Sequence, residues 1–363
     1  MIAMTTNHKI FIIAEAGVNH NGSIDLARKL VDAAVDAGAD AVKFQSFVAA
    51  SIVTATASKA EYQIANMGSS ESQLEMLKKL ELSHPQQREL FEYCKKRGIQ
   101  FLSTPFDFES LKFLTADLGL ETIKIGSGEL TNAPFLYEVA RSSKKIILST
   151  GMSTISEVTE ALGVIAFAMT KDSSQTPTSS SIVAALASTE GNSAVKSRVT
   201  LLHCTTDYPT MPGDVNLRAI HTLRDEFDCK IGFSDHSSGT HLAVAAVAMG
   251  AQVIEKHLTT SRELAGPDHL ASLEPGEFKK LVAQIRELEL AFGSAEKSPT
   301  ATETKNKKIA RRSLVASQAI KKGEDFTVSN VAIKRPGTGR SPFEYWALLG
   351  TKAARDIAKH ELI

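Results

Sequence analysis

The stretch KIGFSDHSSGTHLAVAAVAMGAQVIEKHLT, residues 230–259, holds one complete strand–helix–strand unit and decides the fold of this chain. Residues 230–236 and 252–259 are short β-prone runs, and the apolar residues 239–249 between them predict a helix. Two strands joined through a helix lie parallel in one sheet. His236 and His257 stand 257 − 236 = 21 residues apart, at equivalent strand ends. The stretch therefore predicts an α/β fold with both histidines at one edge.

The same alternation of strand and helix continues along most of the chain. The remaining β-prone runs cover residues 10–17, 41–47, 99–105, 122–129, 145–151 and 199–206. Helices are predicted at residues 23–37, 85–97, 109–118, 134–141, 155–169, 216–227 and 275–292. Eight such units predict a (β/α)8 TIM barrel. A doubly wound open sheet is the alternative, but polar residues at the ends of so many strands are more typical of a barrel mouth.

Composition changes divide the chain into predicted domains. Residues 1–292 form the barrel, with a Ser-, Thr- and Ala-rich insertion at residues 170–197 that we expect at the surface. The polar residues 293–306 are the predicted linker, and residues 307–363 form a small β-rich domain. This last segment has 12 basic and 5 acidic residues, an excess of 12 − 5 = +7, so the rest of the chain carries −7.

The overall composition favours a globular protein with a small-molecule substrate. Of the 363 residues 43% are hydrophobic, and 41 basic residues balance 41 acidic ones. A balanced charge argues against nucleic acid or an acidic membrane surface as the partner. Three cysteines without metal-site spacing indicate a reducing compartment, and neither an export signal nor a membrane span is visible. We expect a cytoplasmic protein.

The histidine pair predicts a metal site. Period-two alternation puts Ser234 with His236 on one strand face and Glu255 with His257 on the next. Two neutral imidazoles with open positions suit a divalent ion that also holds water and substrate oxygen. Mn²⁺ is the expected ion, with Mg²⁺ and Co²⁺ as alternatives. Either histidine could instead only bond a backbone carbonyl.

Lysines and serines at other strand ends predict an anion site. Lys43 lies on the second strand and Lys124 on the fourth, and Ser127, Ser149 and Ser234 could donate to a phosphate. The alternatives are an internal salt bridge of Lys43 with Glu15, or a lysine that forms a Schiff base as in barrel aldolases.

Two carboxylates are expected at the same barrel mouth. Glu15 ends the first strand and Glu129 ends the fourth, where they can position water or sugar hydroxyls or neutralise the lysines. His203 and Cys204 are adjacent on a strand and point to opposite faces, so they do not form a nucleophile pair.

An ordered set of motifs resembles the bacterial sialic acid synthases, which join phosphoenolpyruvate to an N-acetylated amino sugar. The matching segments run from end to end of the chain. They are AEAGVNHNG (14–22), VKFQ (42–45), STPF (103–106), KIGSGE (124–129), LSTGM (148–152), SDH (234–236), EKH (255–257), GPDH (266–269) and KRPG (334–337).

The resemblance implies a barrel followed by an antifreeze-like (SAF) domain, and a domain-swapped homodimer. It implies His236 and His257 as metal ligands and Glu15 as an acid/base or water-positioning group. The residues implied to hold phosphoenolpyruvate are Lys43, Lys124, Ser127, Ser149 and Ser234. Those implied to contact the sugar are Gln45, Glu129, Tyr208 and Asp268, together with Arg335 of the partner subunit.

The expected activity is N-acetylneuraminate synthesis from phosphoenolpyruvate, N-acetylmannosamine and water, with release of phosphate. The alternative is legionaminic acid synthesis from a 2,4-diacetamido sugar, since residues 59–63 and 72–76 are compatible with either product. A non-catalytic sugar-binding protein, with the β-rich domain as a lid, is the alternative from a different class.

Overall fold

The computed structural model describes residues 9–54, 57–60, 63–64, 66 and 71–363. They form two compact units, one that ends at Gly293 and one that spans Ser294–Ile363. Residues 61 and 62, in one of the two segments that bear on sugar preference, lie outside the described residues.

Eight parallel strands form the centre of the first unit. Their order in the sheet is β3-β2-β1-β8-β7-β6-β5-β4, so β1 pairs with both β2 and β8. β3 and β4 lie against each other and nearly close the ring. The predicted (β/α)8 barrel is thereby confirmed. The strands are β1 (Phe11–Gly17), β2 (Ala41–Ser46), β3 (Gln100–Pro105), β4 (Thr122–Ile125), β5 (Lys145–Ser149), β6 (Val199–His203), β7 (Lys230–Asp235) and β8 (Val253–His257).

Helices connect the strands, and local capping sets several of their ends. Helix α1 begins after Ser23, whose hydroxyl accepts from the Leu26 amide, and ends at Gly38 with φ +82°. Among the described residues the helices of this unit are α1 (Ile24–Ala37), α2 (Ala49–Ile52), α3 (Gln73–Leu80), α4 (His84–Arg97), α5 (Phe108–Lys112), α6 (Ala133–Ser142), α7 (Ile155–Thr170), α8 (Ser179–Ala187), α9 (Thr189–Arg198), α10 (Ala219–Phe227), α11 (His241–Ala248) and α12 (Pro275–Phe292).

The barrel interior is layered because side chains on a strand alternate between two faces. The bottom layer is apolar and buried, and consists of Ile13, Ala41, Leu102, Ile147, Leu202 and Val253. Two residues further along four of these strands stand Glu15, Lys43, Thr104 and Glu255, which are also buried. The apolar layer is thus the floor on which a charged layer rests, towards the carboxyl ends of the strands.

Most of the insertion at residues 170–197 is helical, with Ala185, Gly191 and Val195 buried. Helices α8 and α9 lie against α7. The contact is close at Gly163, where a Cβ atom would stand 2.6 Å from Ile182 Cγ2. Because glycine has no Cβ atom, α8 can approach α7 this closely.

The second unit contains helix α13 (Ala301–Ala310), the antiparallel strands β9 (Ser313–Ala316) and β10 (Val331–Lys334), and helix α14 (Tyr345–Leu348). Its core includes Leu314, Ile320 and Phe326. Helix α13 begins inside the segment 293–306 that the sequence predicts as a linker. Throughout the described ranges, no helix has the length and apolar character needed to cross a membrane.

Candidate active site

A cavity of about 380 Å³ opens at the carboxyl ends of the barrel strands. This is the end at which TIM-barrel enzymes carry their active sites. Every predicted site residue of the first unit lines it: Glu15, Lys43, Gln45, Lys124, Ser127, Glu129, Ser149, Tyr208, Ser234, His236, His257 and Asp268.

Two lysines and two glutamates form the charged bottom of the cavity. Lys43 Nζ lies 2.6 Å from Glu15 Oε2 and 3.6 Å from Glu255 Oε2. Lys124 Nζ lies 3.6 Å from Glu255 Oε1. All four side chains are almost fully buried. The salt bridge of Lys43 with Glu15 that the sequence left as an alternative is therefore present, and a second carboxylate joins it.

Burial and neighbouring charges set the protonation of the Lys43 pair. Burial raises the pKa of Glu15 to about 7, against the opposing effect of Lys43. Burial acts to lower the pKa of Lys43, but the carboxylates of Glu15 and Glu255 outweigh it and the net shift is upward. Lys43 is therefore an ammonium ion at neutral pH, which suits anion binding better than Schiff-base formation.

The pKa values of Glu255 and Lys124 are both lowered, but for different reasons. Although burial acts to raise it, the pKa of Glu255 falls to about 2, because Lys124, Lys43 and the Ser234 hydroxyl stabilise the carboxylate. Burial lowers the pKa of Lys124. Glu255 is thus the fixed negative charge of the charged layer, whereas Glu15 can exchange a proton near neutral pH.

Hydroxyl groups surround the lysines. Lys124 Nζ donates to Ser149 Oγ at 2.7 Å, and Lys43 Nζ donates to Thr104 Oγ1 at 3.2 Å. Ser234 Oγ donates to Glu255 Oε1 at 2.8 Å. Ser127 Oγ accepts from the Gly151 amide at 3.0 Å. Amines and hydroxyls from β2, β3, β4, β5 and β7, and from the turn after β4, thus converge in the cavity.

The two histidines face each other beside this charged layer. Their ring centroids are 5.3 Å apart, and the Tyr208 ring lies 4.2 Å from His236 and 5.4 Å from His257. His236 Nδ1 lies 2.8 Å from the Thr205 carbonyl. Since a carbonyl only accepts, Nδ1 carries the proton and Nε2 carries the lone pair, 3.2 Å from Ser234 Oγ.

Several observations agree with metal binding by this pair. Burial lowers the pKa of His236 to about 4 and that of His257 well below its usual value, so both rings are neutral at pH 7. His257 Nδ1 is buried without a hydrogen-bond partner, 3.9 Å from Asp268 Oδ2. A backbone carbonyl on the second nitrogen, as at His236, is the usual support of a ligating histidine. Within the ranges that the structure describes, no group of three or more His, Cys, Asp or Glu is placed to hold a metal ion.

Two predicted site residues, Glu129 and Arg335, do not lie on the barrel strands. Strand β4 ends at Ile125, earlier than predicted, and Glu129 closes a 3-10 turn, where it accepts from Asn132 Nδ2 at 2.6 Å. Arg335 belongs to the second unit, where its Nε donates to the Ala310 carbonyl at 3.0 Å. The contact of Arg335 with a sugar in a partner subunit stays a prediction.

Three residues around the histidines have no role that the sequence alone predicts. Glu255 is on the predicted inner face, but its bonds to two lysines depend on distances across the barrel. Lys256 and Asp235 form a fully buried ion pair of 2.9 Å, each beside one of the histidines. The alternation along β7 and β8 puts Lys256 and Asp235 on the outer face of the barrel strands. The only sign of them in the sequence is a charged residue within each predicted buried strand.

Comparisons with known proteins agree with the fold and show the family of the chain. The NeuB family matches residues 30–297, and the SAF domain matches residues 311–363. The chain is 47% identical to N,N'-diacetyllegionaminic acid synthase of Campylobacter jejuni, over 98% of this chain and 99% of that protein. It is 43% identical to the synthase of the same name from Legionella pneumophila, over 96% of this chain and 91% of that protein.

A solved structure is also similar. It is the N-acetylneuraminic acid (sialic acid) synthetase of Leptospira borgpetersenii in complex with citrate. The TM-score is 0.66 at 32% identity, and the match covers 84% of this chain and 94% of that one.

These similarities correct one expectation. The prediction that the chain makes N-acetylneuraminate is wrong, because the full-length relatives at 47% and 43% identity are both N,N'-diacetyllegionaminic acid synthases. The barrel motifs that carried the prediction lie around the charged layer and the histidines, which are expected to contact phosphoenolpyruvate and the sugar aldehyde, and both candidate sugars share that aldehyde. They therefore do not distinguish one sugar from another.

The family itself is not in doubt, because its match covers most of the barrel and the SAF domain covers the end of the chain. This chain is a member of the NeuB family, the family of sialic acid synthases, with a SAF domain after its (β/α)8 barrel.

Proposed function

We propose that this protein condenses phosphoenolpyruvate with a 2,4-diacetamido sugar and water, to give a legionaminic acid and inorganic phosphate. The observation that carries the proposal is the layer of Lys43, Lys124, Glu15 and Glu255 beneath two neutral histidines in one cavity. The choice of sugar rests on the two synthases of that name to which the chain is 47% and 43% identical.

Phosphoenolpyruvate fits the end of the cavity where the amines and hydroxyls converge. Its carboxylate and phosphate need several donors, which Lys43, Lys124, Ser127, Ser149 and Ser234 can supply. The ion pairs of the lysines with Glu255 keep the amines in place before the substrate arrives. The added negative charge would raise the pKa of Glu15 above about 7, so that Glu15 is protonated in the complex.

The reaction forms one carbon–carbon bond and breaks one carbon–oxygen bond. The methylene carbon of phosphoenolpyruvate attacks the aldehyde carbon of the sugar, and the aldehyde oxygen takes up a proton. Water then adds to the carbon that bears the phosphate, forms a new bond to it and gives up a proton. The bond from this carbon to the phosphate oxygen breaks as the added hydroxyl becomes the ketone carbonyl, and the hydroxyl proton leaves with the inorganic phosphate. Glu15, with its pKa near 7, can give the first proton or accept the second.

His236 and His257 are the residues that would hold a divalent ion, for which we propose Mn²⁺. When bound, such an ion supplies Lewis-acid polarisation of the aldehyde oxygen. Tyr208, which packs on both rings, fixes their orientation. Gln45, Glu129, Tyr208 and Asp268 line the rest of the cavity and are proposed to contact the sugar.

The active form is proposed to be a domain-swapped homodimer in which Arg335 of the partner subunit reaches the sugar. The charge distribution supports this, because residues 307–363 have 12 basic and 5 acidic residues in a chain of zero net charge. The second unit also exposes Phe343 and Trp346 at 94% and 78%, as a surface that packs on a second chain would.

A panel assay tests the proposed activity. The protein is incubated with phosphoenolpyruvate and either the 2,4-diacetamido sugar or N-acetylmannosamine, and phosphate release is measured with Mn²⁺ and with EDTA. We expect faster release with the diacetamido sugar, lost in EDTA and restored by Mn²⁺. Release with neither sugar would favour a non-catalytic sugar-binding protein. Trapping of substrate on a lysine by borohydride would favour Schiff-base chemistry.

A further inference from the structure

A second apolar cluster lies at the mouth of the barrel, apart from the main core. We call it the mouth cluster. Its buried members are Val18, Phe47, Ala49, Met76 and Leu80, and Ile52, Leu74, Leu77 and Phe106 pack against them. The residues come from the loop after β1, the end of β2, helices α2 and α3, and the end of β3. None of the chemistry proposed above uses them.

The mouth cluster forms one wall of the active-site cavity. Val18, Phe47, Ile52, Met76, Leu77, Leu80 and Phe106 line the cavity together with Val53. Met76 and Leu80 are only 1% and 4% exposed, whereas Leu77 and Ile52 are partly exposed. The partly exposed side chains are the ones that a ligand could still cover.

The wall and the histidines lie on adjacent parts of the barrel mouth. The histidines are at the ends of β7 and β8, and the wall lies above β1, β2 and β3, next to β8. The groups proposed for phosphoenolpyruvate are on or just after β4 and β5, with Ser234 on β7 and Lys43 on β2. A sugar whose aldehyde is at the histidines can therefore reach the wall across β8 and β1.

The lining of this wall matches an acetamido group. Gln63 and Gln73 line the cavity beside the apolar side chains, so methyl-sized apolar contacts and amide donors and acceptors occur together. An acetamido group has the same two parts, a methyl and an amide. A sugar with a hydroxyl in place of the second acetamido group would make no contact with these apolar side chains. Its hydroxyl would also lose water on burial beside them.

We propose that this wall, through Ile52 and Leu77 of the mouth cluster and the neighbouring Val53, binds the second acetamido group of the sugar and so selects the 2,4-diacetamido substrate. This inference rests on the proposed function. The phosphoenolpyruvate end of the cavity is common to any sugar, while the wall above β1 to β3 distinguishes between sugars.

Leu77→Gln tests the inference, with Leu74→Gln as its matched control. Both leucines are on α3 and pack on the mouth cluster, but only Leu77 lines the cavity. We expect Leu77→Gln to lower kcat/KM for the diacetamido sugar about 10-fold, the size of effect typical of one lost apolar contact. KM for phosphoenolpyruvate and kcat/KM for N-acetylmannosamine should change less than about twofold, and Leu74→Gln should leave all these values near wild type.

Val53→Thr is the second variant, because it keeps the shape of the side chain and replaces a methyl by a hydroxyl. It should lower kcat/KM for the diacetamido sugar in the same selective way if Leu77→Gln does not fold. Equal losses with both sugars, no loss with either variant, or the same selective loss in Leu74→Gln would overturn the inference. Failure of the wild-type protein to use any amino sugar would instead overturn the proposed function, and this inference with it.

Discussion

At the scale of single residues, Glu15 is a buried carboxyl group whose charge changes near neutral pH. Burial raises its pKa to about 7 in the folded protein from an ordinary value of 4.5. The folded state therefore holds this proton more tightly than the unfolded state does. Its stabilising effect is fully present below pH 4.5 and is lost as the pH rises through about 7.

Glu15→Gln should reveal this titration, because glutamine is neutral at every pH. Without substrate or metal, the variant should become more stable relative to wild type as the pH rises from 5 to 8. Thermal unfolding at both pH values measures the difference. A variant that loses stability relative to wild type over the same interval would mean that the ion pair with Lys43 outweighs the burial of the carboxylate.

His236 is the residue on which the proposed metal site depends most directly. His236→Ala should lose binding of Mn²⁺, measured by calorimetry, and activity, and should keep the far-ultraviolet circular dichroism of the wild type. His221→Ala is the control, since His221 Nε2 lies 3.1 Å from the Met249 carbonyl and does not line the cavity. Equal Mn²⁺ binding by both variants would exclude His236 as a ligand.

At the scale of helices and strands, the close contact between α7 and α8 explains how the insertion is held. Gly163→Ala would put a Cβ atom 2.6 Å from Ile182 Cγ2 and 3.2 Å from the Ile182 carbonyl oxygen. Overpacking of this kind costs about 1–3 kcal/mol, against a gain of about 0.5–1 kcal/mol from replacing a glycine inside a helix. We expect a net loss of about 1 kcal/mol in the free energy of unfolding.

The control is Gly276→Ala in α12, where a Cβ atom would have no neighbour within 4 Å. It should stabilise the protein slightly or leave it unchanged. Urea denaturation of both variants measures the two free energies. A gain in stability at Gly163 would mean that α8 can move away from α7 at little cost.

The strands of the barrel could be predicted because each is a short apolar run followed by polar residues. The alternation along β7 and β8 likewise put Ser234 and Glu255 on the inner face, and the register pairs these two residues. Helices α2 and α3 were missed because they are short, with 4 and 8 residues, and lie in the irregular connection between β2 and β3. They supply the wall proposed to select the sugar, so the sequence motifs alone pointed to the wrong substrate.

At the scale of the whole molecule, the barrel and the basic second unit are proposed to form one active site from two chains. Complementation tests this exchange. His236→Ala removes a function of the barrel, and Arg335→Ala removes a function of the second unit. Each variant alone should be inactive or nearly so, because every site in its homodimer lacks one of the two groups.

Mixed dimers of the two variants should recover activity if the second unit acts on the partner. One of their two sites then combines the unaltered barrel of one chain with the unaltered second unit of the other. Random pairing makes about half of the dimers mixed, so co-expression should restore about a quarter of the wild-type rate. If Arg335 serves the barrel of its own chain, every site keeps one defect and the mixture stays as inactive as its components. The rate of the mixture therefore decides between exchange and self-contained subunits, and equilibrium sedimentation of the same sample establishes that the dimers form.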